Sequence, residues 1–179
     1  MTTPQSTPQE NIKVVQEAFA AFRRRDVDAC VEFLTSDFII NIAGMPYQKR
    51  GARAWRTNAE TMFSAFPDVE IHVEDIFGVD DKVAVRARFT GTHTGEFLGQ
   101  QPTGRRIDYH SNELYRFVDG KIAEEWICSD TLTLMTQIGA MSQGKLISMW
   151  LAGFRVWFAL GLGLAIGMLS MLLLRFILS

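Results

Sequence analysis

The stretch "RIDYHSNELYRFVDGKIAEEWICSD" occupies Arg106–Asp130. Arg106 to Val118 reads as one long strand, and Asp119-Gly120 is a strong signal for a tight hairpin. On the return strand, period-two alternation places Ile122, Glu124, Trp126, Cys128 and Asp130 on one face. This hairpin identifies the second half of the domain as antiparallel sheet.

Working outward, Val83, Val85, Ala87 and Phe89 alternate with Lys82, Ala84, Arg86 and Arg88, and Val69, Ile71 and Val73 alternate with Glu70, His72 and Glu74. "VDDK" supplies the turn between these strands, and "DFIINIAG" is an earlier strand closed by glycine. Ile12, Val15, Phe19 and Phe22 share one face of a helix over residues 11–24. Asp26 or Asp28 caps a second, short helix ending near Leu34, and Ala52 to Phe66 returns to helical spacing until Pro67 stops it. A short helical segment lies near Leu132 to Ile138. Helices first and hairpin-linked strands later predict an α+β fold, with helices packed on a curved antiparallel sheet. The concave interior of such a sheet is where a small-molecule ligand would sit.

The expected organisation is a disordered leader over residues 1–10, the α+β domain over 11–139, a linker over 140–148 and a membrane anchor over 149–179. Within the anchor, "VWFALGLGLAIGMLSMLLL" spans 156–174 without a charge. At the helical rise it covers roughly 28 Å, one hydrocarbon core. Arg155 and Arg175 bracket it, and Trp150 and Trp157 suit the headgroup zone. A single-pass C-terminal anchor with a cytoplasmic domain is the resulting expectation. Gly163 and Gly167 form a G-x-x-x-G pair, a route to a homodimer.

Composition narrows the chemistry. A formal charge of -2 and the lack of a Lys/Arg-rich run exclude nucleic acid as a partner. Cys30 and Cys128 have no neighbour at metal or redox spacing, and the three histidines have no metal-site spacing. Asp130 ends the last predicted strand, either as an acid-base group beside Trp126 in a pocket or as the N-cap of "TLTL". His110 shares a strand face with Asp108, Asn112 and Leu114. It is either a donor to a substrate carbonyl or an ordinary surface histidine. His93 lies within the glycine-rich "GTHTGEFLGQQPTGRR", where it either points into a pocket mouth or braces the turn, and one of Arg105 and Arg106 could pair with a substrate carboxylate.

Phe66-Pro67-Asp68, "GTHTGEFLG", Pro102-Thr103-Gly104-Arg105, Asp119-Gly120-Lys121-Ile122 and Glu125-Trp126 before Asp130 together resemble the SnoaL-like polyketide (ester) cyclases over roughly residues 11–139. The resemblance implies the cone-shaped α+β barrel shared with nuclear transport factor two and ketosteroid isomerase. It also implies intramolecular aldol ring closure without metal or cofactor, with Asp130 as acid-base residue. His110 is the best match for a second catalytic group. Asn41 stands where relatives often carry a histidine, and His93, Trp126, Asn41 and Arg105 are the expected substrate contacts. A membrane anchor departs from the usual enzyme. The expected activity is a cyclase or isomerase acting on a small polycarbonyl or lipophilic substrate; a noncatalytic ligand-binding or protein-interaction module at the membrane is the alternative.

Overall fold

A computed structural model describes residues 6–178. They fall into two compact units, one extending to Ala140 and one from Met141 onward.

In the first unit, α1 (Pro8–Arg23) opens on a capping box. The Thr7 hydroxyl accepts from the Glu10 amide while the Glu10 carboxylate accepts from the Thr7 amide. This helix therefore begins inside the expected leader, and residues 1–5 lie outside the described part. A short helix α2 (Val27–Glu32) follows, capped by Asp26, and α3 (Gly51–Ala65) comes after β1 (Leu34–Ile42) and β2 (Lys49–Arg50). Then come β3 (Glu70–Val79), β4 (Lys82–Thr92), β5 (Arg106–Val118), β6 (Lys121–Ser129) and α4 (Thr131–Ile138).

The six strands form one curved open sheet in the order β2-β1-β6-β5-β4-β3. The α+β fold matches the sequence expectation with one difference in pairing: β1 runs parallel to β6, while every other pair is antiparallel. Helix α1 packs across β3 and β4, α3 across β1 and α4 against β5. The enclosed face carries the core, with Phe38, Ile40, Phe66, Val83, Ile107 and Ile138 almost wholly buried.

One irregularity in the β5–β6 ladder governs the interior. Phe117 stands opposite Ile122 and Arg116 opposite Glu124, so Ala123 is an extra residue on β6. Two residues oppose one at such a bulge, and alternation changes phase across it. Ile122 points inward, but beyond the bulge the inward set is Glu125, Ile127 and Ser129. Unbroken alternation had assigned Glu124, Trp126 and Cys128 to the face of Ile122, so that expectation is corrected.

The loop 93–105 returns on itself. The His93 amide donates to the Arg105 carbonyl, the Gly104 amide donates to the His93 carbonyl, and Phe97 pairs with Gln100. The amides of Thr94 and Gly95 both donate to the Ala65 carbonyl at the end of α3. This pins the loop so closely that a β-carbon on Gly95 would lie 2.1 Å from the Ser64 carbonyl oxygen.

The second unit holds α5 (Gln143–Ala152), capped by Ser142, and α6 (Arg155–Ile177). Helix α5 occupies most of the stretch expected to be a linker. Ser142 accepts from the Lys145 amide and supplies a start signal that the sequence reading passed over. Helix α6 is long and apolar enough to cross a membrane.

Gly95→Ala should destabilise the domain by about 2 kcal/mol or more, because backbone must move to admit the methyl group. Gly99→Ala has open space around it and pays only for its φ of +83°, about 1 kcal/mol. Urea titration of the two variants should show that order.

Candidate active site

The enclosed face of the sheet leaves a cavity of about 130 Å³ between α1, α3 and strands β3 to β6. Its walls are mostly apolar and aromatic, including Phe19, Phe22, Trp55, Met62, Phe89 and Tyr109. Phe89 and Tyr109 stack at 5.3 Å, and the Tyr115 ring meets Phe19 edge-on at 6.3 Å.

Two carboxyl groups interrupt this wall. On β5, the inward set Tyr109, Ser111, Glu113, Tyr115 and Phe117 brings in Glu113. On β6, the bulge turns Glu125 inward, directly opposite Tyr115. Glu113 and Glu125 are 6% and 4% exposed, values at which a carboxyl group must find partners within the protein. The Tyr115 hydroxyl donates to Glu113 Oε2 and also meets the Glu125 carboxyl. Glu125 further engages the Trp55 indole, and Glu113 the Ser111 hydroxyl, which lies 2.9 Å from that of Ser129.

A phenol carries one proton. When Tyr115 donates it to Glu113, its oxygen can accept from Glu125 only if Glu125 is protonated. Burial, followed by repulsion from Glu113, pushes Glu125 up to about 8, against the opposing pull of its Tyr115 and Trp55 hydrogen bonds. Burial also raises Glu113 and Tyr115. The shared hydroxyl is satisfied when one of the two carboxyl groups carries a proton, an arrangement that can offer an acid and a base in one cavity. Cys30 also lines the cavity, but burial raises its thiol to about 11, so it stays protonated.

The residues singled out from sequence stand elsewhere. Asp130 is exposed and caps α4, accepting from the Thr133 amide at 3.0 Å and its hydroxyl at 2.7 Å. Those bonds lower its pKa, the reverse of the expected desolvated acid. Its capping role won because β6 ends at Ser129, so the side chain belongs to a helix start. His110 lies on the outer face of β5, 3.3 Å from Glu74 Oε1, since inward positions on that strand carry odd numbers.

Trp126 and Asn41 are paired neighbours on β6 and β1, outside the cavity. Asn41 there donates to Glu124 Oε1 at 3.0 Å. His93 is buried, but in the loop packing: its Nδ1 is 3.0 Å from Thr103 Oγ1 and its ring packs on Phe66. Arg105 is exposed and lies against the C-terminal end of α4 at Gly139. None of these six residues lines the cavity.

Glu113, Tyr115 and Trp55 were not singled out, and Glu125 was noted only as part of a motif. For Glu113 a signal exists: it is an acid among Tyr109, Tyr115 and Phe117 at even spacing.

An α+β cone with a partly apolar cavity and paired buried carboxyl groups defines a small-molecule site with acid-base capability. The chain belongs to the SnoaL-like polyketide cyclase family, whose model matches residues 13–138. It is 29% identical over 132 residues to the aklanonic acid methyl ester cyclase DauD of Streptomyces sp. (strain C5), covering 72% of this chain and 81% of that one. The same identity and length relate it to the aklanonic acid methyl ester cyclase DnrD of Streptomyces peucetius, covering 72% and 90%. Among solved structures, AclR of Streptomyces galilaeus, a candidate hydroxylase, superposes with a TM-score of 0.69 at 31% identity, covering 75% of this chain and 99% of that one. A SnoaL-like protein from Jannaschia sp. CCS1 gives 0.71 at 26% identity, covering 79% and 99%.

The buried pair makes stability depend on pH. An unfolded glutamate titrates near 4.3, so the native state prefers protonated Glu125 between that value and about 8. Its contribution is complete below the unfolded value and is lost as pH rises through about 8. Asp68, Asp108 and Asp130 are lowered instead, and their contributions disappear only in acid. The unfolding midpoint of the detergent-solubilised full chain should therefore fall by roughly 5 °C or more between pH 6 and pH 9. Glu125→Gln should flatten that slope.

Proposed function

We propose that the α+β domain is a cofactor-independent cyclase or isomerase for a polycarbonyl substrate, and that Glu113 and Glu125 carry the proton transfers. The observation that supports this is the sharing of one buried tyrosine hydroxyl by two carboxyl groups at the wall of an apolar cavity. The ionised carboxylate takes a proton from a carbon flanked by two carbonyls. The resulting enolate carbon attacks a distant carbonyl carbon of the same molecule, forming one C–C bond and an alkoxide. The protonated carboxyl group gives its proton to that alkoxide. The pair ends with one proton as it began, and the product is an isomer of the substrate. Buried hydroxyl donors, Tyr115 above all, compensate the negative charge as it moves.

Helix α6 supports a second part of the reading, a C-terminal anchor that holds a cytoplasmic domain near a bilayer from which a lipophilic substrate partitions. The full chain should remain with liposomes through a high-salt wash, whereas a chain ending at Ala140 should be released. Release of the full chain would remove the anchor.

Turnover of aklanonic acid methyl ester and of a linear tetraketide ester tests the chemistry. Glu113→Gln and Glu125→Gln should each lower kcat by about 10²- to 10⁴-fold, while Asp130→Asn stays within about threefold of the unaltered chain. The profile should be bell-shaped. Activity is lost in acid, where both groups are protonated, and again above about 8, where the last proton leaves. Full activity in both glutamine variants, with loss in Asp130→Asn, would return the role to the exposed aspartate. Binding of either ester without turnover would favour a ligand-binding module.

A further inference from the structure

Helix α5 carries an apolar face without a cover among the described residues. At 3.6 residues per turn, Leu146, Ile147, Met149, Trp150 and Leu151 fall on one side, and Lys145 and Ser148 on the other. No residue of the helix is buried, and Ile147, Met149 and Trp150 are 59%, 63% and 71% exposed. On the polar side, the Ser148 hydroxyl donates to the Lys145 carbonyl at 2.7 Å. Ten residues are too few to hold a helix in water by propensity alone, so this helix depends on what its apolar side meets.

Three observations point to a lipid surface. The first is continuity: only Gly153 and Phe154 separate α5 from α6, which is apolar and long enough to cross a membrane. If α6 enters a bilayer, α5 begins at its surface. The second is the junction itself. The Gly153 and Phe154 amides donate to the Trp150 and Leu151 carbonyls, three residues back instead of four, a tightened turn of the kind found where helices bend. Across it the Trp150 ring packs on Phe154 at 5.1 Å, which joins the apolar side of α5 to the start of α6. The third is charge. The whole chain is acidic, at -2, yet residues 141–179 hold Lys145, Arg155 and Arg175 and no aspartate or glutamate. Cations on the polar side and tryptophan on the apolar side match an anionic headgroup layer.

We propose that α5 is an interfacial helix that lies along an anionic lipid surface, with Ile147, Trp150 and Leu151 at the acyl boundary and Lys145 and Ser148 toward water. The stretch before α6 is then a second membrane contact and not a tether. This builds on the anchor assigned to α6 in the proposed function, and it is tested at separate positions.

Spin labels on single cysteines of the full chain, in liposomes of phosphatidylcholine and phosphatidylglycerol, make the test. Cys128 is exposed and is replaced by Cys128→Ser, whereas Cys30 is buried and stays unlabelled. The ratio of collisions with oxygen, which concentrates in lipid, to collisions with a water-soluble nickel chelate is read at each position. It should be at least about threefold higher for Ile147→Cys, Trp150→Cys and Leu151→Cys than for Lys145→Cys and Ser148→Cys. Omitting phosphatidylglycerol, or adding Lys145→Glu to the Ile147→Cys chain, should lower the ratio at Ile147→Cys. Leu164→Cys in α6 reports the anchor. If Leu164→Cys lies in lipid while both sides of α5 meet the chelate equally, the inference falls and the anchor stands. If Leu164→Cys lies in water, the anchor falls, and the α5 contrast alone decides the inference. Shielding of the apolar side from oxygen and chelate alike identifies a protein surface or a second copy as its cover and also overturns the inference.

Discussion

Two carboxyl groups buried against one phenol form the constraint around which this interior is arranged. Taking a carboxylate out of water costs several kcal/mol unless hydrogen bonds replace its shell. Here the replacement comes from Tyr115, Ser111 and Trp55, each on an element whose position is set by packing. Tyr115 and Glu125 face each other only because β5 and β6 pair in the register fixed by Ala123. Trp55 reaches the pair only because α3 lies across the sheet. A mixed apolar and acidic core of this kind does not follow from burial alone, since a purely apolar cavity of the same shape would avoid the desolvation cost.

The elements themselves were legible because their patterns are long and their boundaries carry local chemistry. Asp119-Gly120 fixed the hairpin, Pro67 ended α3 and Asp26 capped α2. The site was less legible, and the reason is one residue long. Period two was carried straight through β6, so Glu125 was assigned outward and Trp126 and Asp130 inward. A bulge leaves no strong composition signal when the extra residue is an alanine. For His110 no such excuse exists: its alternation partners Tyr109 and Tyr115 are large and buried, which fixes His110 on the other face.

Asp130 shows why motif position and chemical environment are separate matters. The carboxylate sits one residue beyond the strand, where the first turn of α4 offers free amides. That turn holds it ionised and outside the cavity. The same side chain one residue earlier would point along the inward series ending at Ser129. A resemblance across the whole domain carries the fold reliably, but it carries a role only when the local backbone puts the group where the chemistry occurs.

The comparisons bear on that distinction. One scaffold relates this chain both to aklanonic acid methyl ester cyclases and to a candidate hydroxylase, at nearly equal identity. The sheet and its helices therefore supply a sheltered volume and leave the reaction to a few inward positions. In this chain the inward positions hold glutamates, a tyrosine and a tryptophan. Proton transfer is the chemistry such groups perform unaided. In the proposed reaction the second carboxyl group matters because the Tyr115 hydroxyl can serve both only when one of them carries a proton, which sets an acid beside a base.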